Sequence, residues 1–389
     1  MSSIRAVCVA VILLWPTARA GDVPVWFGTY TNSKTKSQGI YGARFDTDRG
    51  TLTPPVLATP ARNPSFLAFH PRLPMLYAVA EIAADDGTPG GAVEAFAVDG
   101  TTGALESRGA TSTGGPGPCH VAVDADGRVV LAANYGGGSV ACLGIAADGG
   151  LEPLVSGDGS SGLLHHALDR AGETGLHPKR QEKPHAHSVD VSPNGRFAIV
   201  CDLGLDTVFV HAVDATRAVL APHTATRTTF GAGPRHFAFH PQGRFGYCVN
   251  ELDLTVTGFA VDEEAGRLTP LQTLSTLPDD TGDRTGFTAA EIAVHPSGRF
   301  LYASTRGPDT IAVYRIDEAT GRLRFTGVEP IRGKTPRHFA IAPGGMFLLA
   351  AGQQSNTVAV FAIDQETGGL AFTGTSNDVP SPVCIAFRP

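Results

Sequence analysis

Gly231-Ala-Gly-Pro-Arg-His-Phe-Ala-Phe-His-Pro-Gln-Gly-Arg-Phe-Gly-Tyr-Cys-Val-Asn-Glu251-Leu252 is the stretch that decides the fold. Residues 237–239 alternate and are rich in large apolar side chains, which predicts a strand. His240-Pro-Gln-Gly243 supplies turn residues, and residues 245–249 form a second β-prone run. Two strands joined by so short a turn are antiparallel, so the start of the first and the end of the second share one edge. Arg235 and Glu251 are therefore expected side by side.

Outward from this stretch the chain repeats it. Copies begin near Pro64, Pro118, Ala186, Pro234, Ala289 and Pro336, with central turns such as Asp126-Gly-Arg128, Asn194-Gly-Arg196, Gln242-Gly-Arg244 and Ser297-Gly-Arg299. Each copy continues into a third apolar run and a close such as Glu264-Ala-Gly-Arg-Leu268 or Glu366-Thr-Gly-Gly-Leu370, then a fourth strand. Four strands in about 45–55 residues is the size of one propeller blade. Residues 25–55 supply strands two to four of a further copy but lack the first, and residues 382–389 supply a first strand and stop. The fold class is all-β: a seven-bladed β-propeller over residues 21–389, its last blade closed by the N- and C-terminal strands. First strands number seven, which weighs against six or eight blades. Closure also covers the sheet edges that an open array would expose.

Residues 1–20 stand apart. Arg5 precedes a short apolar run, and Ala18-Arg19-Ala20 is a small-x-small cleavage pattern, so the segment reads as a secretory signal peptide and the protein as exported, periplasmic or extracellular. No other stretch is long and apolar enough for a bilayer, so no membrane association is expected after cleavage. Cleavage would take Lys+Arg from 30 to 28 against 37 Asp+Glu, a mature charge of about −9. An acidic balance without a basic stripe argues against nucleic acid as a partner. Cys119, Cys142, Cys201, Cys248 and Cys384 lie in or beside apolar runs without metal-type spacing, and read as small buried residues. Residues 156–184 break the repeat spacing and carry no strand pattern; a loop of that length is more often functional than not. His165 and His166 within it are expected to be exposed.

The copies act as controls on one another. His70, His240 and His295 recur before the turn proline and are assigned to turn structure; Arg128, Arg196, Arg244 and Arg299 recur after the turn glycine. At the opposite edge the copies disagree. The start of strand one reads Ser65, Cys119, His187, Arg235, Ala290, Arg337, Val383, and the end of strand two reads Glu81, Tyr135, Leu203, Glu251, Arg306, Gln353. One residue earlier, strand two has Asn134 and Asp202 in two of the copies. These positions ring one mouth of the central channel. Unlike charges that converge there cost desolvation and are not needed for stability, which points to a binding pocket rather than casual ion pairs.

The residue types set the chemistry. Arginines suit a carboxylate, a phosphate or a developing oxyanion. His187 and Glu251 are candidate acid–base groups. No Gly-x-Ser-x-Gly elbow and no Cys–His pair at a defined spacing is present. His185, His187 and Asp202 could ligate a metal, but the crowd of arginines opposes a cation at the centre, so neither metal nor cofactor is expected.

Gly231-Ala-Gly-Pro-Arg-His236 with Tyr247-Cys-Val-Asn-Glu-Leu252 resembles the lactonase family of seven-bladed propellers, which includes propeller-type 6-phosphogluconolactonases and the fungal 3-carboxymuconate lactonizing enzyme. Arg180-Gln-Glu-Lys-Pro-His-Ala-His-Ser188, Cys201-Asp-Leu-Gly-Leu-Asp206, Ala289-Ala-Glu-Ile292 with Ser304-Thr-Arg306, and Ala350-Ala-Gly-Gln353 extend the resemblance over residues 24–389. It implies a lactone hydrolase with catalytic residues His187, Arg235, Glu251 and Arg306, and a small-molecule sugar-acid lactone as the partner. His185, Arg337, Gln353, Glu81, Asn134, Tyr135 and Asp202 are the expected substrate contacts, and the protein is expected to be a monomer. Two other readings remain: a muconate-type cycloisomerase using the same residues, and a non-catalytic propeller that binds carbohydrate or protein at its mouth. The latter calls for a broad aromatic rim, and Tyr135 is the one aromatic in the ring.

Overall fold

The computed structural model describes residues 21–83, 90–157, 160–167 and 175–388. The expected signal peptide, residues 1–20, lies outside the described residues. Seven antiparallel sheets surround a central axis, and every blade runs from its innermost strand outward. Blade 4 shows the plan: Pro234–Phe239, Phe245–Asn250, Thr255–Asp262 and Arg267–Ser275 pair in that order. Blade 7 joins the termini, with Pro382–Phe387 pairing Asp22–Thr29 and the latter pairing Gly39–Asp46. The seven first strands pack on one another in a closed ring.

Blades adhere because strand alternation sends one apolar row to each neighbour. Tyr247 and Val249 of blade 4 pack with Leu301, Ala303 and Tyr314 of blade 5, all of them buried. A large side chain buried in this way contributes about 1.5–3 kcal/mol. The five described cysteines are free and buried, as the sequence suggests.

The insertion corrects one expectation. Residues 156–184 are not strandless: Ser156–Gly157 pairs Ser160–Ser161, and Leu163–His165 pairs Ser139–Gly144 as the fourth strand of blade 2. His165 is exposed, but His166 is buried and places its Nδ1 2.6 Å from Asp202 Oδ2 and its Nε2 3.1 Å from His211 Nε2. The insertion thus crosses from blade 2 to blade 3 and docks there.

One irregularity recurs in every blade but the first. Strand one slips register by one residue against its partner near its start, between Pro234 and His236, between Ala186 and Ser188, and between Pro336 and His338. Arg235, His187 and Arg337 are therefore the extra residues of β-bulges, a device that re-aims a side chain at the rim of a sheet.

Candidate active site

Backbone geometry upstream of the bulge places Arg235. Asp206 Oδ2 accepts the Gly231 N–H at 2.8 Å, and its Oδ1 accepts the Gly233 N–H at 2.8 Å. Gly233 holds φ +64, and a Cβ there would come 2.7 Å from Leu252, so the turn needs glycine. Gln181 Nε2 donates to the same Asp206 Oδ1 at 2.7 Å. One buried carboxylate therefore pins both the loop before Arg235 and the end of the insertion that carries Arg180.

Glu251 follows strand Phe245–Asn250, with its side chain 3% exposed. Its Oε1 accepts Arg180 Nη2 at 2.7 Å and pairs with Arg306 Nη2 at 3.2 Å; its Oε2 accepts Arg235 Nε at 3.0 Å. His187 Nε2 lies 3.8 Å from Oε2. Burial pushes the Glu251 carboxyl upward, but the Arg306, Arg235 and Arg180 guanidiniums outweigh it and hold the group at about 2. Burial, followed by Arg235, His236 and Arg337, drives His187 well below the ordinary imidazole value, so it is neutral at pH 7. Arg235 is itself brought down to about 10 by burial and by Arg337 and Arg306, and stays charged.

The second half of the mouth is built on blades 1, 6 and 7. Arg337 lies 5.3 Å over the Tyr30 ring. Tyr30 Oη donates to Glu81 Oε2 at 2.9 Å, and Ser65 Oγ donates to the same oxygen. Among the described residues the Arg337 guanidinium has no hydrogen bond and no ion pair, in contrast to the three arginines on Glu251. Ser65, Glu81, Cys119, Arg235, His236 and Arg337 line a small cavity between the two halves.

The expected residues thus divide. His187, Arg235, Glu251 and Arg306 converge, and Glu81, Arg337 and Tyr135 adjoin them. Asn134 and Asp202 do not reach the mouth: both are fully buried. They precede the mouth positions by one residue, and strand alternation turns them to the other face. Asn134 Nδ2 donates to Ser139 Oγ, while Asp202 accepts the His185 N–H and pairs with His166. His185 stacks on Tyr135 at 4.4 Å and bonds the Tyr135 carbonyl and Glu182, so it buttresses the rim rather than facing the pocket. Gln353 lines a separate groove with Asn32, Lys34 and Ser355. Arg180 was not among the expected site residues. It comes from the insertion, which has no counterpart in the other blades to compare with; its only signal is its place in the run Arg180–Ser188.

A buried cluster of guanidiniums gathered on one carboxylate, at the mouth of a bulged, seven-bladed scaffold, defines a class, and comparison with known proteins supplies the family. The model of the seven-bladed β-propeller lactonases matches residues 24–387, and the chain belongs to that family. A 6-phosphogluconolactonase of Bacillus subtilis is 34% identical over 313 residues, covering 80% of this chain and 83% of the relative. A 6-phosphogluconolactonase of Formosa agariphila is 31% identical, covering 81% of this chain and 85% of the relative. The solved periplasmic gluconolactonase of Pseudomonas aeruginosa superposes with a TM-score of 0.84 at 33% identity, covering 95% of this chain and 99% of that one.

Proposed function

We propose that the protein hydrolyses a sugar-acid lactone at this mouth. The observation that carries the reading is Glu251 held by three guanidiniums, with neutral His187 beside it. Both Glu251 oxygens are taken by guanidinium donors, so Glu251 does not activate water. Its part is to fix Arg235 and Arg306. His187 is the base: a ring nitrogen takes a proton from water as the oxygen attacks the lactone carbonyl. Arg235 and Arg306 stabilise the tetrahedral oxyanion. Collapse breaks the ring C–O bond, and His187 returns its proton to the leaving alkoxide, releasing a hydroxy-carboxylate.

Arg337, whose guanidinium makes no hydrogen bond or ion pair among the described residues, receives the acidic or hydroxyl-rich end of the substrate, and Glu81 accepts its hydroxyl hydrogens. Export by residues 1–20, in keeping with the periplasmic location of the P. aeruginosa relative, favours an unphosphorylated aldonolactone over a cytoplasmic sugar phosphate. We take the acting unit to be a monomer, since the residues assigned these roles all come from one chain.

The test is hydrolysis of D-glucono-1,5-lactone and its 6-phosphate by purified residues 21–389. The expected result is hydrolysis of the unphosphorylated lactone above its spontaneous rate, lost in His187→Gln. Rates equal to the spontaneous reaction for both lactones would overturn the reading.

A further inference from the structure

Below the mouth lies a second set of buried polar side chains that the mechanism above leaves unused: His236, Glu291, His338 and His120. Their hydrogen bonds have one consistent direction. His338 Nδ1 accepts the Ile385 N–H at 3.2 Å, so its Nε2 carries the proton and faces Glu291 Oε2 at 3.3 Å. Glu291 Oε1 also accepts the Ile292 N–H at 2.9 Å. His236 Nδ1 lies 3.1 Å from both Glu291 oxygens, and its Nε2 lies 3.1 Å from Arg235 Nη1. Arginine can only donate. His236 Nε2 is therefore the acceptor, and its single proton is on Nδ1, donated to Glu291. Burial and the Arg235 charge keep His236 neutral, as that arrangement requires.

The chain Glu291–His236–Arg235–Glu251 accounts for most donors of Arg235. Nε is taken by Glu251, and Nη1 by His236 and by the Ala290 carbonyl. Among the described residues Nη2 makes no hydrogen bond, and Arg235 lines the mouth cavity. We propose that Glu291 and His236 are a positioning pair that clamps the Arg235 guanidinium from below, leaving Nη2 to meet the lactone oxyanion. The logic is that of a carboxylate that sets a histidine's tautomer so that the histidine can orient a third group. This rests on the lactonase reading, with Arg235 as the oxyanion donor.

The experiment is a double-mutant cycle in steady-state hydrolysis of D-glucono-1,5-lactone, with ¹⁵N NMR of the histidine rings. Glu291→Leu is expected to lower kcat about 10- to 100-fold. Glu291→Gln, which still accepts from His236 Nδ1, is expected to regain most of the loss. In an Arg235→Ala background Glu291→Leu should cost nothing further in kcat, because the pair acts through the missing guanidinium. Independent, multiplied losses in the cycle would overturn the proposal. NMR reads the pair without any turnover: His236 should be protonated at Nδ1 in the wild type and lose that bias in Glu291→Leu, and a proton on Nε2 in the wild type would sink the idea. If the wild type hydrolyses no lactone while His236 holds the Nδ1 tautomer, the functional reading fails and the clamp stands. D-gluconate affinity, weakened in Glu291→Leu and unaffected by that change in the Arg235→Ala background, then takes the place of kcat; unaltered affinity in Glu291→Leu would overturn the clamp.

Discussion

Strand Pro234–Phe239 ends below in His240 and begins above in Arg235, and the two ends make opposite kinds of contact. His240 Nδ1 accepts its own turn's Gln242 N–H, and Nε2 donates to the Gly298 carbonyl of the next blade at 3.0 Å. His70 does the same to Gly127 at 3.1 Å, and His295 to Gly345 at 2.8 Å. The lower edge carries a staple repeated in blades 1, 4 and 5. At the upper edge Arg235 meets a carboxylate, a histidine and a carbonyl, and no other blade repeats the set. Stability lies in the repeated end, and chemistry in the end where repetition stops.

The sharpest way to break this contrast is to neutralise Glu251. Glu251→Gln frees Arg180, Arg235 and Arg306 from their common anchor, and kcat/KM for the lactone should fall about 10²–10³-fold. A variant that kept wild-type turnover would remove the mouth from the mechanism. The same substitution should leave the circular dichroism of the sheets unchanged, since the lower staples are intact.

Acid should separate the two ends next. His120, His187, His236 and His338 are all held below the ordinary value, chiefly by burial. Unfolding exposes them to protonation near pH 6.5, so the unfolded state binds more protons as pH falls through that value, and folded stability drops. Each such group contributes up to about 1.4 kcal/mol per pH unit. Asp190, pushed up to about 8 by burial, and Glu291, raised by burial, work in the opposite sense but are outnumbered. Tm should therefore decline from pH 7 to pH 5. Initial rates on folded enzyme should show an acid limb below 6.5, because protonation of His187 removes the base only below its depressed value. A limb at or above 6.5 would contradict the assignment of His187.

Gly298 tests the lower edge. It holds φ +74, and a Cβ would come 2.6 Å from His240 Nε2. Gly298→Ala should cost about 1–3 kcal/mol through backbone strain and a displaced staple. Thermal melts should show a Tm several degrees lower, with kcat/KM at 25 °C unchanged. A loss of turnover at full folding would mean that the two ends are coupled through the strand.

What was legible in the sequence follows the same division. The turn-and-strand period made the blade visible, and its repetition made the count and the terminal closure visible. The mouth was legible because copies could be compared in register: Arg235, Glu251, Arg306 and His187 depart from it, and all four converge. Elsewhere register misleads or is missing. Asn134 and Asp202 are in register but one residue early, which in a strand means the opposite face. Gln353 is in register at the rim but lines a separate groove. His166 and Arg180 lie on the insertion, where no copy exists, so burial of the one and the reach of the other depend on how that segment folds back over blades 2 and 3.

Arg180 therefore offers the finest test of how far the irregular part of the chain has been recruited by the regular part. Its Nε donates to Tyr135 Oη at 3.1 Å and its Nη2 to Glu251 at 2.7 Å, with the side chain 37% exposed. Tyr135→Phe removes one neutral partner and leaves the ion pair. The net worth of such a bond is about 0.5–1.5 kcal/mol, so kcat/KM should fall about two- to tenfold. Arg180→Met should cost more, since it strips a guanidinium from Glu251 as well. If Tyr135→Phe has no further effect in the Arg180→Met background, the tyrosine acts only by holding the arginine, and the insertion is part of the active site. If the two losses multiply, Tyr135 meets the substrate itself, and Arg180 is a charge on the rim.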